Sequence, residues 1–100
     1  MTDEPAPSTV DVYWRPGCPY CSRLFRSFEQ AGVMTTLHNI WEDDEARIFV
    51  QTHNRSNETV PTIAIGDVVV TNPDPGAFID ALRQRYPALL AEAASGGQRS

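Results

Sequence analysis

The sequence predicts an α/β domain: a small mixed four-stranded sheet flanked by helices, in the order β-α-β-α-β-β-α. Three observations carry this. Short β-branched runs alternate apolar and polar residues, while the segments between them repeat their apolar residues at i, i+3, i+4 and i+7. Helix-length stretches separate the first strands, a connection that suits parallel neighbours. Gly66-Asp67 joins the last two β-like runs as a two-residue hairpin. Strand order does not follow from these patterns.

Residues 1–8 are polar and Pro-rich, with Pro5 and Pro7 opposing regular structure, and are expected to form a flexible tail before a domain at 9–87. Val10, Val12 and Trp14 alternate with Asp11 and Tyr13, the period of a first strand. Arg15-Pro16-Gly17 is a turn, and a helix follows from Pro19 to Ala31. Pro19 suits the first helical position, where a missing N–H costs nothing, and Gly32 suits the left-handed stop. Met34 to Ile40 forms a second strand with Leu37 and Ile40 as its buried members, parallel to the first through a right-handed crossover.

Glu42, Asp43, Asp44 and Glu45 crowd the start of a second helix, where carboxylates complement the dipole. Ala46, Phe49, Val50 and His53 fall on one of its faces, and Asn54 to Glu58 form a polar loop. Thr62–Ile65 and Val68–Thr71 are the hairpin strands. Asp74 caps a third helix with Pro75 at its first position, and Phe78, Ile79, Leu82 and Tyr86 face inward before Pro87 weakens it. Residues 88–100 are expected to be a largely disordered extension, in which Ala88 to Ala94 can continue as helix.

One hundred residues support one domain with a modest core. The net charge of −5 argues against nucleic acid, which needs clustered basic residues; all eight basic residues are arginine. No apolar run approaches the ~20 residues that span a bilayer, and the acidic start is unlike a basic signal sequence. A soluble, cytoplasmic monomer is the expectation.

The chemistry concentrates in Cys18-Pro19-Tyr20-Cys21, which holds the only two cysteines. Two cysteines this close cannot staple a secreted domain. A thiol at a helix start meets unpaired N–H groups and partial positive charge, both of which favour thiolate. Free cysteine with a pKa near ~8.5 is only a few per cent ionised at neutral pH, whereas helix-start Cys-x-x-Cys thiols reach ~7 or lower. Cys21, Leu24, Phe25 and Phe28 share one helix face, so Cys21 is expected on the buried stripe and Cys18 at an accessible tip. Cys18 is then the nucleophile and Cys21 the resolving thiol. Arg15 adds a cation that can further stabilise the thiolate.

These residues, with Thr59-Val60-Pro61 before the third strand and the order of elements, resemble the glutaredoxin class of the thioredoxin fold, and most closely the mycoredoxins of actinobacteria. The resemblance spans Val10 to Tyr86. It implies a thioredoxin-like sheet and thiol–disulfide exchange on mixed disulfides between proteins and a low-molecular-weight thiol. It also implies that Pro61 is cis beside Cys18, that Val60 offers its backbone to an extended thiol substrate, and that Tyr20 shapes the groove wall. Arg15, Pro19, Tyr20, Thr59, Val60, Pro61 and Asn72 become the candidate thiol-binding residues. The resemblance implies no bound cofactor or metal, a small thiol as co-substrate and an upstream thiol reductase system. Glutathione-using members carry a glycine pair and an acidic residue after the hairpin. Here the stretch is Val70-Thr71-Asn72-Pro73-Asp74, which shifts the expected thiol from glutathione to mycothiol, a sugar-linked thiol without glutathione's two carboxylates.

Rival readings stand beside this one. A lone Cys-x-x-Cys supplies half of a tetrahedral zinc site, and neither His38 nor His53 has a partner at ligand spacing. A shared iron–sulfur cluster, a dithiol donor dedicated to a partner such as ribonucleotide reductase, and a pure binding module remain open. Arg55 lies in the loop before Thr59 and can reach a ligand or simply be solvated. Trp14 and Trp41 read as core or rim packing. Asp11, polar in mid-strand, either faces a helix-free edge or tunes Cys21.

Overall fold

The computed structural model describes residues 9–90, so the expectations for 1–8 and 91–100 lie outside the described residues. The elements are β1 (Val10–Trp14), α1 (Pro19–Ala31), β2 (Thr35–Asn39), α2 (Asp44–His53), β3 (Thr62–Ile65), β4 (Val68–Thr71) and α3 (Pro75–Arg85), then a 3-10 turn at Pro87–Leu89. The sheet order is β2-β1-β3-β4. β1 runs parallel to β2 with Val12 opposite Leu37, and antiparallel to β3 with Val12 opposite Ile63. Gly66 takes the left-handed conformation, φ 57°, that the β3–β4 turn requires.

Alternation along β1 divides the two faces. Val10 and Val12 are fully buried and pack with Leu24 and Phe28 of α1, Ile63 and Ile65 of β3, and Ile79 and Leu82 of α3. Each such side chain contributes about 1.5–3 kcal/mol by leaving water. Tyr13 points the other way, onto α2, and stacks on Phe49 at 4.6 Å and on His38 at 4.5 Å. A second cluster joins α2 to the start of α1 through Ala46, Val50, Ile40, Val60, Cys18 and Cys21. The two cysteines therefore sit where both layers meet.

Helix ends follow their sequence signals. Asp43 accepts from the amides of Glu45 and Ala46, and Asp74 from that of Ala77. Gly32 closes α1 at φ 74°.

Three expectations change. β2 is shorter than Met34–Ile40, and Leu37, expected buried, is 51% exposed. The reason is strand order: β2 is the sheet edge, where the α1–α3 layer gives out. α3 ends at Arg85, one residue before Tyr86. Finally, core packing continues past Pro87: Leu89 and Leu90 are 3% and 1% exposed, and Leu90 bridges Val33 beside β2. Among the described residues, no helix is long and apolar enough to cross a membrane.

Candidate active site

Cys18 is the N-cap of α1, at φ −97° and ψ 113°, with Pro19 as the first helical residue. That geometry turns the side chain back over the first turn. Its Sγ accepts from the Cys21 amide at 3.3 Å, satisfying one of the helix's orphan donors. A hydrogen bond of this kind strengthens when the acceptor carries charge. The same sulfur faces the Val60 carbonyl at 3.8 Å, to which the thiol proton donates. Both cysteines are free thiols.

Cys18 is not the accessible tip that its position suggested: it is only 5% exposed. The loop preceding β3 folds over it, bringing Val60, itself 8% exposed, against the sulfur. Cys21 lies one turn deeper at 1% exposure. Burial, ahead of its hydrogen bond with Cys18, pushes the Cys21 thiol from an ordinary 9.0 up to about 12, with the Arg15 backbone opposing the rise. Cys21 therefore keeps its proton at neutral pH.

The Val60–Pro61 peptide is cis. A polar network holds the segment in place. The Asn54 amide donates to the Val50 carbonyl at 2.9 Å and to the Thr62 hydroxyl at 3.3 Å, while its oxygen accepts from the Thr71 hydroxyl at 2.8 Å. Thr62, fully buried, donates to the Thr59 carbonyl at 2.8 Å. Asn72, at φ 47°, gives its backbone N–H to the Pro61 carbonyl at 2.7 Å. Arg55 and Ser56 are consecutive left-handed residues, φ 56° and 72°, costing about 1–2 kcal/mol each. The Ser56 amide donates to the Gln51 carbonyl at 2.7 Å, which holds that bend.

Tyr20, 56% exposed, and Asn72 line one open cleft of about 240 Å³ with Arg23, Pro73, Asp74 and Pro75. Arg15 turns its guanidinium towards Trp41, 5.8 Å from the ring centre, and donates to the Pro16 carbonyl at 3.2 Å. Thr59 is exposed. Asp11, on the internal strand β1, contacts His38 3.0 Å away across β1–β2 and is not among the groups that act on Cys21. Sequence reasoning missed Asn54, whose role needs three elements that meet only in the fold. Among the described residues, no group of three or more His, Cys, Asp or Glu is arranged to hold a metal ion.

The sequence model for glutaredoxin matches residues 10–70, a span running from β1 through both cysteines and Pro61 into β4. The chain belongs to the glutaredoxin family. This glutaredoxin is 34% identical over 67 residues to Mycoredoxin 1 of Corynebacterium glutamicum, covering 66% of this chain and 82% of the relative. The solution structure of a glutaredoxin from Brucella melitensis superposes with a TM-score of 0.62 at 28% identity, covering 87% of this chain and 95% of that one. Reduced glutaredoxin C1 of Populus tremula x tremuloides shares the fold at a TM-score of 0.58 and 20% identity, over 91% of this chain and 79% of the other. This glutaredoxin is accordingly a thiol–disulfide oxidoreductase, of a family that works with low-molecular-weight thiols and no prosthetic group.

Proposed function

We propose that this glutaredoxin reduces mixed disulfides between proteins and mycothiol, with Cys18 as nucleophile and Cys21 as resolving thiol. The observation that carries the reading is the Cys18 sulfur at the N-cap of α1, accepting the Cys21 amide beside the Val60 carbonyl. The Cys18 thiolate attacks the mycothiol sulfur of the mixed disulfide. A Cys18–mycothiol disulfide forms as the old S–S bond breaks, and the protein sulfur leaves with the electron pair and takes a proton from water. A second mycothiol thiolate then attacks the capped mycothiol sulfur, giving mycothiol disulfide and returning Cys18 as thiolate.

The state of Cys21 favours this single-thiol route. A buried thiol that holds its proton at neutral pH is a poor nucleophile, which slows its attack on the capped sulfur. Capping Cys18 removes that residue's contribution to the raised value, which leaves attack of Cys21 on the Cys18 sulfur as a slower second exit. Thr59 and Val60 lie just ahead of β3, where an extended substrate backbone can add alongside. Pro19 fixes the turn that carries Cys18, and Tyr20 and Asn72 line an open cleft two residues along α1 that flanks the bound disulfide.

Two features support mycothiol over glutathione. One is the similarity to Mycoredoxin 1. The other is Asn72, which makes the left-handed bend after β4 without a glycine pair, at φ 47°. A cytoplasmic setting, where thiols persist reduced, fits the chemistry. The test gives the purified protein one acceptor as its mycothiol and as its glutathione mixed disulfide, each with excess matching thiol. Faster turnover of the mycothiol form is expected. Equal or faster turnover of the glutathione form overturns the choice of thiol, and no turnover of either overturns the mechanism.

A further inference from the structure

Trp41 stands 58% exposed although the chain around it is fixed. The Ile40 amide continues the β1–β2 ladder by donating to the Trp14 carbonyl at 2.9 Å. The Trp41 amide donates to Asn39 Oδ1 at 2.9 Å, and the Glu42 amide to the Asn39 carbonyl at 3.0 Å. Asn39 thus clamps the turn from both sides, and the indole is presented by ordered backbone. The Arg15 guanidinium lies 5.8 Å from the ring centre, within cation–π range. Among the described residues Arg15 has no carboxylate partner. It lies three positions before Cys18, a backbone span of at most about 11 Å. Ile40, next to Trp41, packs in the cluster that holds both sulfurs.

We propose that Trp41, braced by Arg15, is a specificity-determining wall that stacks on the sugar-linked end of the small thiol; this rests on the mycothiol reading above. A flat, exposed indole offers an apolar face to the C–H edges of a sugar ring. The guanidinium fork offers N–H donors to its hydroxyls. The surroundings favour a neutral polyol over an anionic tail: Glu42 and Asp43 follow Trp41 directly, both exposed, and would repel a carboxylate. They also disfavour a large apolar protein surface, which the polar turn could not match.

The test compares KM and kcat for a mycothiol mixed disulfide and for the N-acetylcysteine mixed disulfide, which lacks the sugar. Trp41→Ala is expected to raise the mycothiol KM about fivefold, the worth of one aromatic contact, with little change in kcat. The N-acetylcysteine KM should move by much less, so discrimination collapses, and Trp41→Phe should restore part of it. In the Cys18→Ser background, added mycothiol should change tryptophan emission, and the change should vanish with Trp41→Phe. Equal loss on both substrates, or retained discrimination in Trp41→Ala at an unaltered unfolding midpoint, overturns the assignment to Trp41 alone. A wild-type protein without preference for mycothiol over glutathione overturns the mycothiol reading and this assignment together.

Discussion

Cys21 holds its proton because a charged sulfur at 1% exposure is poorly solvated. The first consequence is selective labelling: alkylating the native protein at neutral pH and mapping the adduct by mass spectrometry should find Cys18 modified well before Cys21. A second concerns stability. The folded state binds the Cys21 proton more tightly than the unfolded chain does, its value rising from 9.0 to about 12. This contribution is complete below the unfolded value and is lost as pH climbs towards the folded one. Tyr13, raised from 10.0 chiefly by burial, acts in the same direction above its own unfolded value. Urea midpoints measured from about pH 9 upward should therefore fall more steeply in the wild type than in Cys21→Ala; parallel curves would contradict the assignment. For turnover, Cys21→Ser should leave the single-thiol route largely intact and Cys18→Ser should abolish it, as assayed on the mycothiol mixed disulfide. At this scale the helix-start placement of the pair was readable from Cys-Pro-Tyr-Cys followed by the α1 periodicity. The burial of Cys18 was not, because its cover is Val60, 42 residues downstream.

Among the elements, α3 is the simplest to test. Its start depends on the Asp74 carboxylate meeting the Ala77 amide at 3.0 Å, so Asp74→Ala should cost about 1 kcal/mol in urea unfolding. An unchanged midpoint would show that Pro75 alone sets the entry. Local signals made α1, the β3–β4 hairpin and the start of α3 legible, since each is fixed by residues inside a few positions: Pro19 and Gly32, Gly66-Asp67, Asp74-Pro75. β2 was harder. Leu37 alternates correctly for a strand, yet whether its face is covered depends on β2 being an edge, and strand order is invisible to periodicity. The same non-locality hid the Arg15–Trp41 contact, which needs the parallel ends of β1 and β2 side by side.

For the whole molecule, the return of the chain after α3 matters more than Pro87 suggested. The Leu89 carbonyl accepts from the Met34 amide at 2.8 Å, tying the segment to the sheet edge, and Leu90 fills the main core. Leu90→Ala should cost about 2–5 kcal/mol by thermal or urea unfolding, as expected of a large core side chain. A loss below about 1 kcal/mol would place the domain's end at α3 instead. The molecule's other long-range tie is the Asn54 knot, which fastens α2, β3 and β4 to the Thr59–Pro61 segment. The proposed recognition segment, rigidified in this way before any partner arrives, has little conformational freedom left to surrender on association. Encounter should then be a rigid fit, and loosening Asn54 should appear first as faster escape of the bound disulfide.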